Sequence, residues 1–295
     1  MLFKGVFVAT VTPFQNKTGD VDFNAYRDHL RWLADCGVHG FVPCGTTGEG
    51  PCLTEVERKE LIEMSCEEAK SKKLQVIAGC GSNSTSTVLK MILEAKAIGA
   101  DAALVVTPYY NKPTQEGLVA HYEFLADRSP IPLVLYHVPG RTSVSFQIST
   151  LQTLFKHPNI IGIKEASGQH NFWMSMANSL DWKTLNILAG DDDAFALIMQ
   201  LGGTGIISAT ANIIPKEFVS LFHLAQEGKW CEAFALQKRL LNLVHAMFSE
   251  TNPSPAKEAL KLLGRMENTV RLPLVTVQPK TQQMISNALK DLGCL

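Results

Sequence analysis

Short apolar runs without strict alternation recur along the chain, at 5–10, 39–43, 75–79, 102–106, 133–136, 160–164, 185–189 and 205–208. Between and after them lie longer amphipathic stretches, at 23–36, 55–71, 85–98, 115–128, 148–155, 172–179, 194–201 and 216–226. Strands of four to eight residues that lack a two-residue alternation are those buried on both faces. The pattern predicts eight β-then-α units over residues 5–226 and hence the α/β class, a (β/α)8 TIM barrel. A doubly wound open sheet is the rival. It usually carries a glycine-rich nucleotide turn after its first strand, and here Val11-Thr12-Pro13-Phe14 stands instead. The strand repeat stops near residue 208, and 229–250, 255–263 and 281–292 read as further helices. No Ser/Gly/Pro-rich linker sets them apart. The expected organisation is a catalytic barrel over 1–225 with a C-terminal helical appendage, 226–295, packed on it.

Helix starts support this reading. Thr54 with Glu57 three residues on is a capping-box arrangement, and Asn83-Ser84-Thr85 can cap the helix that follows. Composition narrows the function classes. Lys plus Arg is 27 and Asp plus Glu 28, a net charge of −1, which leaves no electrostatic footprint for nucleic acid or an anionic membrane. The 46% hydrophobic and 19% charged content is that of a compact globular chain. Seven cysteines without a C-x-x-C pair argue against structural zinc and a disulfide framework, and for a reducing compartment. No apolar run reaches membrane-span length, and the N-terminus (MLFKGVFVATVTPF) reads as a first strand rather than a signal peptide. The expected location is the cytosol.

Barrels of this kind act at the C-terminal ends of their strands. Lys164 closes the apolar run Ile160-Ile161-Gly162-Ile163. If Ile161 and Ile163 face the helices, Gly162 and Lys164 face the barrel interior. A lysine enclosed there favours its neutral form and can attack a carbonyl to give a Schiff base. The alternative is a strand-end surface lysine paired with Glu165. The segment GTTGEG (45–50) offers backbone N–H groups and the Thr46 and Thr47 hydroxyls to a small anion, or is simply a tight capped turn. It lacks the lysine of a P-loop. Tyr109, Tyr110 and Tyr136 put phenols at strand ends, as relay groups or as packed rings. Arg141, in a Pro-Gly-Arg-Thr turn, suits a carboxylate or is an exposed loop residue. Asp191-Asp192-Asp193 suggests either a metal site or an acidic helix start.

The stretches GTTGEG (45–50), TPYYNKPTQEGL (107–118), LYHVPGRT (135–142), IGIKEASG (161–168), AGDD (189–192) and GIISATAN (205–212) together resemble the dihydrodipicolinate synthase branch of the N-acetylneuraminate lyase family of Schiff-base aldolases. The resemblance implies a barrel with a C-terminal helical domain, usually a homotetramer of two tight dimers. It implies condensation of pyruvate with L-aspartate 4-semialdehyde on the diaminopimelate route to lysine, with no cofactor or metal. It makes Lys164 the Schiff-base lysine. It makes Thr47, Tyr136 and Tyr110 a proton relay, with Tyr110 lent across the tight dimer. Arg141 would hold the semialdehyde carboxylate. Thr46 and Thr47 would flank pyruvate, with the Gly190 and Ile207 carbonyls facing it. Gly140-Arg141-Thr142 and G-I-K-E-A distinguish this branch from the sugar-acid aldolases and neuraminate lyases, the alternative activity. Asn83 and Tyr109 match the family's lysine-inhibition pocket. Glu55 and Arg58 stand where inhibited members often have His, and Thr87 where they have Glu, so weak or absent inhibition is expected. His137 stands where Asn is common, and the resemblance gives it no role.

Overall fold

The computed structural model describes residues 3–295; Met1 and Leu2, at the head of the first predicted strand, lie outside the described residues. Eight strands alternate with helices in the order read from the pattern. They are β1 (Gly5–Val8), α1 (Phe23–Asp35), β2 (Gly40–Phe41), α2 (Glu55–Lys72), β3 (Gln75–Gly79), α3 (Thr85–Ile98), β4 (Ala102–Val106), α4 (Gln115–Arg128) and β5 (Leu133–His137). There follow α5 (Pro139–Thr142), α6 (Ile148–Leu154), β6 (Ile160–Glu165), α7 (His170–Ser179), β7 (Asn186–Ala189), α8 (Phe195–Gln200), β8 (Gly205–Ser208) and α9 (Pro215–Gln226). Three more helices close the chain: α10 (Trp230–Met247), α11 (Ser254–Leu262) and α12 (Pro279–Asp291). The strands form one closed barrel in sequence order, and every neighbouring pair is parallel.

Two apolar layers explain why the strands carry no simple alternation. Phe3, Phe7, Ile77, Leu104, Val134 and Leu188 fill the barrel interior. Val6, Val8, Val105, Leu135, Ile163 and Ile187 belong to the larger layer shared with the helices. Each such side chain contributes about 1.5–3 kcal/mol on burial. The predicted caps are in place. Glu57 N–H donates to Thr54 Oγ1 at 3.2 Å while Thr54 N–H donates to Glu57 Oε2 at 2.8 Å, and Thr87 N–H reaches Ser84 Oγ at 3.5 Å. The Pro139–Thr142 turn is a short helix rather than a plain loop, because Pro139 occupies its start, where no N–H is needed.

The last helices pack on the barrel through specific polar contacts. Gln237 on α10 donates from Nε2 to the Asp192 carbonyl at 3.0 Å, and its Oε1 accepts from Ala196 N–H at 3.1 Å. Among the described residues, no helix is long and apolar enough to cross a membrane. All seven cysteines are free. Burial pushes the Cys44 and Cys80 thiols up to about 12, which keeps them protonated and inert.

Candidate active site

β5 and β6 are paired so that Tyr136 lies opposite Lys164. Partners in register point to the same face, and that face is the interior, because Tyr136 belongs to the inner apolar layer. Lys164 Nζ sits 4.4 Å from the centre of the Tyr136 ring, and the residue is only 7% exposed. Ile163 faces the helices, as alternation requires. Ile161 does not. The register shifts between Leu133 and Val134, which face Ile160 and Gly162, so Ile161 is skipped and packs against the inner layer. Gly162 is needed here, since a Cβ would meet the Asn186 carbonyl oxygen at 2.2 Å.

Glu165 is turned away from Lys164, which removes the surface ion-pair reading. Its Oε2 accepts from His137 Nδ1 at 2.6 Å, and its Oε1 accepts from Trp173 Nε1 at 3.1 Å and Ser167 N–H at 2.8 Å. Phe146 N–H donates to His137 Nε2 at 3.3 Å, so that nitrogen is the acceptor and the ring proton lies on Nδ1, toward Glu165. His137 is therefore a buried latch behind the strands, tying α7 and the β5–α6 connection to β6.

The GTTGEG segment folds as a self-bonded turn. Gly50 N–H donates to the Gly45 carbonyl and Glu49 N–H to the Thr46 carbonyl, both at 3.1 Å, while Cys44 and Glu49 take φ of 60° and 54°. A 3-10 turn at Gly50–Cys52 separates it from α2, so the segment does not itself open a long helix. Gly79 lets it sit close to β3, since a Cβ there would meet the Cys44 carbonyl oxygen at 2.6 Å. Thr46 lines a cavity of about 540 Å³ together with Tyr109, Tyr136, Arg141 and Asn252. Thr47 is buried, and its Oγ1 accepts from Asn252 Nδ2 at 2.9 Å. The Asn252 carbonyl also accepts from Arg141 Nη2 at 3.4 Å.

A second set of residues from the C-terminal segment clamps this turn, and the sequence did not point to it. Lys257 Nζ lies 2.5 Å from Glu49 Oε1, with both side chains fully enclosed. It also donates to the Thr269 carbonyl at 2.7 Å, and Glu49 Oε2 accepts from Arg271 N–H at 2.9 Å. Burial draws the Lys257 ammonium down to about 8, against the opposing pull of Glu49. On the far side of the mouth, burial and the charges of Asp193, Glu165 and Asp192 push Asp191 up to about 7. Asp191 and Asp192 each accept a backbone N–H, from Gly168 at 3.0 Å and Thr210 at 2.8 Å, so both act as loop staples. Gly190 follows β7 and donates its N–H to the Glu165 carbonyl at 2.6 Å. Ile207 lies in β8 in the inner layer, opposite Phe7.

A sequence model of the dihydrodipicolinate synthetase family matches residues 2–292. The chain belongs to the dihydrodipicolinate synthetase family. A 4-hydroxy-tetrahydrodipicolinate synthase of Thermodesulfovibrio yellowstonii is 44% identical over 294 residues, covering 100% of both chains. One of Methanocaldococcus jannaschii is 42% identical, again over 100% of both. The dihydrodipicolinate synthase structure of Thermotoga maritima superposes with a TM-score of 0.96 at 38% identity, covering 99% of each chain. A chloride-inhibited dihydrodipicolinate synthase of Acinetobacter baumannii, complexed with pyruvate, does so with a TM-score of 0.95 at 39% identity, again covering 99% of each.

The remaining positions that the resemblance to the dihydrodipicolinate synthetase family singled out do not all meet in one chain. Tyr110 is 89% exposed and holds φ at 70°, a strained value for a tyrosine, so its phenol is not packed into its own cavity. Tyr109 lines the cavity, and the Asn83 carbonyl accepts from Asn111 Nδ2 at 2.9 Å. Arg58 is buried and paired with Glu94, while Glu55 bonds Lys59 at 2.9 Å and Lys90 at 2.7 Å. The carboxylates in this region are thus already taken up by cations of the chain, and Thr87 supplies none.

Proposed function

We propose that Lys164 is the nucleophile of a Schiff-base condensation between pyruvate and L-aspartate 4-semialdehyde. The activity is that of a 4-hydroxy-tetrahydrodipicolinate synthase, a lyase of the diaminopimelate route to lysine. The observation that carries the residue assignment is the enclosed Lys164 Nζ, over the Tyr136 ring and free of the carboxylate beside it in sequence.

Lys164 Nζ attacks the ketone carbon of pyruvate, and water leaves to give the imine. The protonated imine draws electrons, so a methyl proton departs and an enamine forms. The enamine carbon attacks the aldehyde carbon of the semialdehyde, whose oxygen is protonated to a hydroxyl. The semialdehyde amine then adds to the imine carbon and expels Lys164, closing the ring. Each step moves a proton, and we give that exchange to Tyr136, whose ring lies beside Lys164 Nζ. Thr46 lines the cavity with Tyr136, whereas Thr47 lies buried with its oxygen engaged by Asn252. We therefore give the relay hydroxyl to Thr46 and leave Thr47, with the two backbone N–H groups, to the pyruvate carboxylate. Gly190 and Ile207 close the pyruvate end. Arg141, at the cavity wall, takes the semialdehyde carboxylate.

Tyr110 completes the relay from a second copy. Its exposure and strained backbone support a tight dimer in which each protomer lends this phenol, within a homotetramer. The test is product formation from pyruvate with the semialdehyde against sugar aldehydes. The reading requires turnover with the semialdehyde that is lost in Lys164→Ala. A preference for sugar aldehydes would overturn it.

A further inference from the structure

Asn252 lies between α10 and α11, 205 positions from Thr47 in sequence. It lines the cavity wall yet is only 5% exposed. Its Nδ2 donates to Thr47 Oγ1 at 2.9 Å, its backbone carbonyl accepts from Arg141 Nη2 at 3.4 Å, and its Oδ1 is buried with no partner among the described residues. A hydroxyl has a single hydrogen. With the amide occupying a lone pair of Thr47 Oγ1, that hydrogen must point away from Asn252. The opposite amide orientation would leave both amide N–H groups without acceptors, in place of one N–H and the carbonyl, and an orphaned N–H is the rarer case in folded proteins.

We propose that Asn252 is a positioning residue for the condensation: by donating to Thr47 Oγ1 it aims the Thr47 hydroxyl hydrogen at the carboxylate of pyruvate. The inference rests on the function proposed above and deepens it. One residue from the loop between α10 and α11 thereby sets the donor direction at the pyruvate end and touches the arginine assigned to the second substrate.

Asn252→Asp tests this, because it keeps the shape and exchanges a donor for an acceptor. An ionised aspartate takes the Thr47 hydrogen, whereas a protonated one donates as the amide does. The KM for pyruvate should rise about tenfold or more at neutral to basic pH, the size expected for one hydrogen bond to an anion, with a smaller change in kcat. Burial and the Arg141 guanidinium pull the aspartate pKa in opposite directions, so the KM is followed from about pH 8 down to about pH 5. It should recover toward the wild-type value as pH falls, while the KM of Asn252→Ala stays raised throughout. A wild-type KM for the aspartate variant at high pH, or identical pH profiles for the two variants, would overturn the proposal. Should the aspartate variant not fold, the cycle of Asn252→Ala and Thr47→Val decides. Non-additive effects on KM are expected, and full additivity would overturn the proposal. Borohydride trapping of pyruvate on wild-type Lys164 is run alongside. Trapping with a failed Asn252 result removes only this inference, and no trapping removes the function beneath it.

Discussion

Replacing Lys257 by Met would leave Glu49 charged, fully enclosed and short of its main partner. The pair is 2.5 Å apart with neither side chain exposed. Forming it costs both groups their hydration, so the pair as a whole contributes little net stability, whereas removing one partner costs about 3–5 kcal/mol. Arg271 N–H still serves Glu49 Oε2, so the loss falls on Oε1. The Lys257 ammonium also sits 4.0 Å from the Phe14 ring centre, a contact worth up to about 2 kcal/mol when desolvated. Domains of ordinary stability hold about 5–15 kcal/mol in total, so the variant should unfold at clearly lower urea. The assay is urea unfolding by circular dichroism at fixed protein concentration, comparing midpoint and slope. Lys257→Met combined with Glu49→Leu should regain much of the loss, since no buried charge then remains, although Arg271 N–H is left without its acceptor at about 1–3 kcal/mol. A single-variant cost under about 1 kcal/mol, or a double variant that loses the sum of the two singles, would refute the reasoning.

Tyr110→Phe should lower turnover by about 10²-fold or more with an unchanged melting temperature, and wild-type turnover would remove it from the relay. Lysine should inhibit weakly or not at all, because Arg58 is engaged by Glu94 and Glu55 by Lys59 and Lys90. Saturating inhibition at low lysine would contradict this. Burial holds the His29 ring at about 4, below its usual 6.5, while its Nε2 bonds Asn212 Oδ1 at 3.0 Å. The ring is folded in its neutral form. Its contribution is therefore complete above about pH 6.5 and lost as pH falls through about 4, roughly 3 kcal/mol in all. The melting temperature should fall over that window, and His29→Gln should flatten the slope; an equal slope in the variant would refute the assignment.

What was legible in the sequence follows from what is local. The eight strands and their helices emerged within a residue or two, because burial on both faces and helical periodicity are written in consecutive positions. Lys164 was legible for the same reason, as a charge closing an apolar run. The Ile161 bulge was not, since it depends on the register against Leu133 and Val134 in the neighbouring strand. Asn252 and Lys257 were invisible because their partners, Thr47 and Glu49, lie 205 and 208 positions away. His137 could be placed only once Phe146 and Glu165 were seen on its two nitrogens.

The most direct measurement is borohydride reduction of the protein in the presence of pyruvate, followed by peptide mapping. A reduced pyruvate adduct on Lys164, absent without pyruvate and absent in Lys164→Ala, is the result this account predicts. An adduct on another lysine, or none while the protein still condenses its substrates, would contradict it.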